Sequence, residues 1–309
     1  MHQRKTHLDP LAVCTIVGCC VLWGLNQVAA KAALPEVPAL VQAAARSVGA
    51  AALVWLWSLW RGIPLFARDG TLRGGLLAGL LFAVEFVCIY VGLQYTTASR
   101  MVVFIYISPF VVALGMPFIA HAERLSAAQF GGLVLAFGGV AWAFAEGFTR
   151  PTAGDRQWLG DALGVAAGVI WGATTLAIRA TRLSSASAEK TLFYQLAISG
   201  VLLAAGTAAR GESWPATLSH VAWAALLFQV IVVTFASYLV WFWLIRRYQA
   251  TRLASFTLLT PVFGLVMGAL LLDEAVTVRH VVALAAVAAG ILLVNGVQPR
   301  IRRTSAVVE

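Results

Sequence analysis

The chain has 309 residues, 61% of them apolar and only 11% charged, against about 25% charged in an ordinary globular domain. A soluble domain of this size needs a charged surface, and a disordered chain needs low hydrophobicity, so both classes are excluded. The net charge of +9 reads as Lys and Arg gathered in cytoplasmic loops. It does not read as a nucleic-acid surface, because no basic stripe lies outside the loops.

Continuous apolar runs, separated by short polar or Pro/Gly-containing turns, predict membrane-spanning helices at 11–33, 40–60, 74–94, 100–119, 129–147, 159–178, 190–209, 221–244, 251–272 and 279–297. A membrane β-barrel would alternate over about ten residues and is excluded. The first run is too long for a signal-peptide core, so the first helix is expected to be retained. With the N-terminus on the cytoplasmic side, 15 Lys and Arg fall inside and 6 outside. That bias predicts both termini in the cytoplasm of a multi-pass inner-membrane protein.

In chain order, the first span carries Trp23, Asn26, Gln27, Ala30 and Lys31 on one helical face. Arg46 lies in the second span, where it either snorkels to the interface or grips an anion from a cavity. Glu85 sits near the middle of the third span, where a lone carboxylate costs at least ~2.5 kcal/mol. It either binds a cationic group or a coupling proton, or pairs structurally with Arg46 or nearby Tyr and Ser groups. Pro109 and Pro261, inside the fourth and ninth spans, are hinge candidates or static kinks. Ser126 with Gln129 reads as a capping box, and Glu123 and Glu274 as turn stabilisers. Thr174 and Thr175 continue a polar stripe below Trp171 in the sixth span. Tyr194 and Gln195 add polarity to the seventh, and Thr234, Ser237, Tyr238 and Trp241 form a face on the eighth. Trp55, Trp57, Trp60 and Trp223, near span ends, read as interface anchors. Paired glycines, including Gly131-Gly132 and Gly138-Gly139, would let helices approach closely. Cys14, Cys19, Cys20 and Cys88 fall in apolar runs without metal-ligand spacing, so neither disulfides nor zinc are expected.

The two halves resemble each other. Trp23-Gly24 matches Trp171-Gly172 at a shift of 148, and Lys31 falls on Arg179. Arg100 matches Arg252 and Ser108-Pro109 matches Thr260-Pro261 at 152, while Glu123 matches Glu274 and Gly139 matches Gly290 at 151. Five spans per half is an odd number, so the second copy enters from the opposite side: an inverted repeat, with halves 1–150 and 151–309. At the 152 shift Glu85 falls on Ser237, which makes the cavity chemically asymmetric. The 148 shift places Asn26 on Thr174 and Gln27 on Thr175.

On these doubled motifs, from Trp23-Gly24 through Ser99 to Pro109 and Glu123, then Trp171-Gly172, Thr251 to Pro261, Glu274 and Gly290, the sequence resembles the EamA-type family of the drug/metabolite transporter superfamily. The resemblance covers nearly the whole chain. It implies an all-α integral membrane protein, with ten transmembrane helices as two inverted five-helix repeats around a central cavity, exporting small metabolites or amino acids.

The expected function is a secondary transporter of small polar or amphipathic solutes, working by alternating access. Glu85 and Arg46 together would suit a zwitterion. Trp23, Asn26, Gln27, Trp171, Thr174, Thr175, Tyr194, Ser237, Tyr238 and Trp241 are the other binding candidates. The alternative is a lipid or lipid-linked sugar flippase, and a less favoured one is a membrane enzyme. The five histidines lie in tails or near loops, and no hydrolase, metalloprotease or Walker pattern occurs. No cofactor, metal or nucleic acid is expected. The expected partners are a small-molecule substrate and the lipid bilayer. Protons as coupling ion, and a monomer or homodimer, remain open.

Overall fold

The computed structural model describes residues 8–120, 125–143, 154–272 and 278–296. Its helices are α1 Pro10–Ala33, α2 Ala39–Trp60, α3 Leu72–Tyr95, α4 Ala98–Ile105, α5 Ser108–Ile119, α6 Ala127–Ala143 and α7 Gln157–Ala180. They continue as α8 Ala188–Ala209, α9 His220–Arg247, α10 Ala250–Thr257, α11 Leu259–Leu272 and α12 Val278–Gly296. A short 3₁₀ turn, Arg182–Ser185, links α7 to α8. Among the described residues, seven helical stretches are long and apolar enough to cross a membrane: α1, α2, α3, Arg100–Ile119, α7, α8 and α9. Shorter apolar helices, Ala127–Gly139 and Ala285–Val294, overlap the fifth and tenth expected spans. Glu123 and Glu274 lie outside the described residues.

The helix starts follow local chemistry. Asp9 caps α1 by accepting from Ala12 N at 3.0 Å, and Pro10 fills the first position, where no N–H is needed. Thr97, Ser187 and Ser219 cap α4, α8 and α9 in the same way. Before α6 the capping box is reciprocal: Ser126 N donates to Gln129 Oε1 at 2.9 Å, and Gln129 N donates to Ser126 Oγ at 3.2 Å. Both α2 and α8 end in Arg-Gly, with Gly62 at φ 64° and Gly211 at φ 67°, the left-handed turn that stops a helix.

The two halves interleave. α3 packs on α7 and α8, α2 on α8 and α9, α1 on α9 and α11, and α6 on α12. Each Trp-Gly motif meets the Ser/Thr-Pro segment of the other half. A Cβ on Gly24 would stand 2.7 Å from Gly264 N and 3.1 Å from Thr260 O; one on Gly172 would stand 2.5 Å from Val111 Cβ and 3.1 Å from Ser108 O. Gly132 and Gly290 bring α6 and α12 backbone to backbone, whereas Gly131 and Gly138 face open space and serve no such contact.

Apolar side chains such as Leu59, Leu80, Leu114, Val201 and Leu292 remain largely exposed on the outer surface, as lipid-facing residues must be. All four cysteines are free, and only Cys14 is exposed. Trp55, Trp60 and Trp223 are exposed at helix ends, in keeping with anchors at the interface.

Pro109 and Pro261 are expected inside the fourth and ninth spans, at a hinge or kink; each stands just after a break in the helix, in the first turn of the segment that follows. The chain leaves helix at Tyr106-Ile107 and at Leu258, then restarts as α5 and α11. A first-turn proline lacks an N–H that would have no helical partner there, so breaking the span just before it removes the clash that an interior proline causes. Ser108 and Thr260, which precede the two prolines, are both buried.

Candidate functional site

A cavity lies between α1, α2, α3, α4, α7, α8 and α9. About 80 Å³ of it admits the centre of a water-sized sphere, against the ~10–15 Å³ that one water needs. It has room for a small solute or a cluster of waters.

Helical spacing assigns the lining. α1 contributes Trp23, Asn26, Gln27 and Ala30, and α7 contributes Trp171, Thr174, Thr175 and Ile178. Both sets recur at three and four residues. α3 contributes Phe82, Glu85, Phe86, Ile89 and Tyr90, α2 contributes Arg46, and α8 contributes Gln195. The broken end of α4 supplies Ile105 and Tyr106, and α9 supplies Tyr238, Trp241, Phe242 and Ile245.

Aromatic rings form most of the wall. Trp23 stands edge-on to Trp171, Tyr238 and Trp241, with ring centroids 6.5, 6.2 and 5.5 Å apart. Tyr106 meets Trp171 at 5.5 Å, and Phe82 meets Tyr238 at 6.2 Å. These edge-to-face pairs lock ring orientations and leave flat faces to meet a solute. Trp23 is held further by its Nε1, which donates to Ser237 Oγ at 2.8 Å; that hydroxyl donates to Val233 O at 2.6 Å.

Arg46 is 1% exposed and held from α9. Its Nε donates to Thr234 Oγ1 at 2.9 Å and its Nη2 to Tyr238 Oη at 3.1 Å, while Phe86 lies flat beneath the guanidinium at 3.9 Å. The ring quadrupole favours the cation without neutralising it. Thr234 comes from an unusual backbone: Phe228–Ser237 is π-helical, with backbone bonds running i→i+5, so residues four and five apart fall on neighbouring positions of one face. Gln229 and Thr234 therefore share a face. Gln229 takes a 2.5 Å hydrogen bond from Tyr90 Oη and donates to Gln42 Oε1 at 2.9 Å.

Glu85 is 5% exposed. It does not pair with Arg46: among the described residues no ion pair joins them. Glu85 Oε2, Arg46 Nη1, Asn26 Oδ1 and Gln27 Oε1 are buried and have no hydrogen-bond partner. An orphaned buried polar atom costs about 1–3 kcal/mol, more when charged. Four of them around one cavity, two donated by ionic side chains, make a site that is short of a polar guest. Thr174 and Thr175 instead return their hydroxyls to the carbonyls of Ile170 and Trp171, at 2.9 and 3.2 Å.

Two expected residues stand elsewhere. Tyr194 packs on the glycine face of α3 at Gly75, with its hydroxyl 3.5 Å from Thr71 Oγ1. One residue on, and so about 100° around the helix, Gln195 is the one that faces the cavity. Ser237 does not line the cavity; it orients Trp23 from behind. Phe82, Phe86, Ile89 and Tyr90 escaped the sequence reading, although they repeat at helical spacing around Glu85. In an apolar span, such a stripe is indistinguishable from one that faces lipid. Gln42 and Gln229 were legible as amides inside apolar runs but were passed over. No metal-binding group of His, Cys, Asp and Glu occurs among the described residues.

The sequence profile of the EamA-like transporter family matches twice, at residues 10–145 and 158–296. The chain belongs to the EamA-like transporter family. Among its relatives, the uncharacterized transporter YvbV of Bacillus subtilis is 28% identical over 282 residues, covering 89% of this chain and 88% of the relative. A probable amino-acid metabolite efflux pump of Escherichia coli is 28% identical over 269 residues, covering 83% and 85% of the two chains. A chain of known crystal structure shares the fold with a TM-score of 0.73 at 18% identity, covering 92% of this chain and 96% of its own. The EamA chain is thus an all-helical, multi-pass membrane protein of a transporter family.

Proposed function

We propose that this chain is a secondary transporter that exports amino acids or related small polar and amphipathic metabolites by alternating access through the cavity. The reading takes the chain as two inverted five-helix repeats, residues 1–150 and 151–309, with ten passes and both termini in the cytoplasm of the inner membrane. Each Trp-Gly motif packs on the Ser/Thr-Pro segment of the other half, as an inverted pair would require. The name of the efflux-pump relative points to the same substrate class.

The observation that carries the proposal is the unmet pair: Arg46 Nη1 and Glu85 Oε2, buried on one cavity and not joined to each other. A zwitterion satisfies both at once, its carboxylate on Arg46 and its ammonium on Glu85, while its side chain rests on the aromatic wall. Charge-assisted bonds of this kind contribute about 1.5–3 kcal/mol each, enough to bind without trapping the solute.

Proteoliposomes loaded with a panel of radiolabelled amino acids, with and without a pH gradient, test this. Substrate-saturable flux of at least one zwitterion is expected, with competition by its ester and its N-acetyl derivative weakened. Lipid scrambling without solute flux would favour the flippase alternative and overturn the proposal. A flux that depends on the pH gradient would identify the proton as the coupling ion.

A further inference from the structure

Away from the cavity, two aspartates at opposite ends of the molecule tie the halves together with partners that the internal repeat relates to each other. At the first, on α7, Asp161 accepts from Thr96 Oγ1 at 2.8 Å, from Arg100 Nε at 3.1 Å and from Arg100 Nη2 at 2.6 Å. The arginine is 6% exposed in this ion pair, and its two-pronged grip is the strong form of the interaction. Lys31, at the end of α1, donates to the carbonyls of Leu93 and Thr96 at 2.5 and 3.1 Å, closing the same corner.

At the second, Asp9 accepts from Tyr248 Oη at 2.7 Å while capping α1. α1, Pro10–Ala33, is 24 residues long, about 36 Å at 1.5 Å per residue, with Asp9 at its start and the Lys31 corner at its end, so the two aspartates stand at opposite ends. A shift of 152 carries Asp9 to Asp161, Thr96 to Tyr248 and Arg100 to Arg252. Arg252 is 3% exposed beside Gln249, whose Oε1 accepts from its Nε at 3.1 Å. At one end the first half supplies the donors and the second half the aspartate; at the other the roles are exchanged.

We infer that Asp161 and Asp9 are the paired latches of the transport cycle, and that releasing one opens the cavity at its own end while the other stays closed. This rests on the alternating-access reading above. A pseudo-two-fold repeat trades donor and acceptor between halves at every related contact; these two stand out because they bridge the halves at opposite ends of α1. The traded pattern is what a rocking pair needs, because each rock must break one set and keep its counterpart.

The test uses the full chain in detergent, with Cys14, Cys19, Cys20 and Cys88 replaced by Ala. One reporter cysteine is placed on the cavity near each end: Ala30→Cys at the Asp161 end, Ile178→Cys at the Asp9 end. Labelling by a charged maleimide is then timed. Asp161→Asn is expected to speed labelling of the Ala30 reporter about tenfold, the worth of one charge-assisted hydrogen bond, and to leave or slow the Ile178 reporter. Asp9→Asn is expected to do the reverse. Thr96→Val and Tyr248→Phe remove a single hydroxyl, should shift each end in the same direction by less, and stand in if an aspartate variant fails to fold. Equal acceleration at both reporters, or none at either, overturns the latch assignment. Solute flux is measured separately: flux without reciprocal labelling sinks the latches alone, and reciprocal labelling without flux sinks the transport reading alone.

Discussion

α3 and α9 occupy matching places in the two halves, yet they solve opposite problems. α3 is a regular helix whose Gly75 and Gly79 let Tyr194 and Ile198 of α8 press against its backbone. α9 has no glycine and carries a π-helical stretch. At the 152 shift Glu85 of α3 falls on Ser237 of α9. The serine has its bonding complete, since it accepts from Trp23 and donates to Val233 O. The carboxylate keeps an oxygen unmet. The two helices thus differ in how they use their polar groups: α9 holds Arg46 and Trp23 in place, while α3 commits Tyr90 to Gln229 and leaves one Glu85 oxygen unmet on the cavity.

If this difference serves transport, Glu85→Gln and Arg46→Gln should each lower kcat/KM for zwitterion flux by about 100-fold, the upper range for a charge-assisted hydrogen bond. Unchanged flux in both variants would refute it outright. Next in size is Gly79→Leu. A Cβ there would already stand 2.6 Å from Ile198 Cβ, so overpacking should cost about 1–3 kcal/mol in detergent unfolding. A bulkier residue at Ala236 of the glycine-free α9, which is exposed, should cost much less. Ser237→Ala leaves Trp23 Nε1 without its acceptor. Interhelical hydrogen bonds in membranes average about 0.6 kcal/mol, so binding should weaken only by about threefold, measured by equilibrium titration.

The smallest effect concerns the approaches to these helices. Ahead of α3, Asp69 accepts from Lys190 Nζ at 2.7 Å and from Thr71 Oγ1 at 2.6 Å. Ahead of α9, Glu36 accepts from Ser219 Oγ and N at 2.6 and 2.7 Å. The Lys190 and Thr71 donors hold Asp69 well below the usual carboxylate range, and the Ser219 hydroxyl and N–H lower Glu36. A depressed folded pKa gives stability that is present above the unfolded value of ~4 and lost as pH falls through the folded value. Asp69→Asn and Glu36→Gln should therefore lower Tm slightly and by the same amount at pH 7 and pH 6, with the difference from wild type vanishing only in stronger acid.

The fold was legible because each half repeats its punctuation. Trp-Gly and Ser/Thr-Pro carry local rules that survive any packing. Arg46 and Glu85 were legible because ionic groups in apolar runs are costly enough to need a reason. The aromatic wall was not, since Phe82 and Phe86 read alike whether they face lipid or a cavity. Nor was the π-helical stretch of α9, because no residue type demands it. Tyr194 and Gln195 show the finer limit, since one residue of helical phase decides which of two polar neighbours meets the solute.

The contact of Gly24 with Gly264 has a mechanical meaning. Where two helices touch through bare backbone, no side chain has to change rotamer for them to roll, so under the proposed alternating access the crossing would serve as an axle beside the site. Even the single methyl of Gly24→Ala, which would press on Gly264 N and Thr260 O, acts as a brake shoe. It should slow turnover while leaving the affinity of the resting protein for its solute nearly intact.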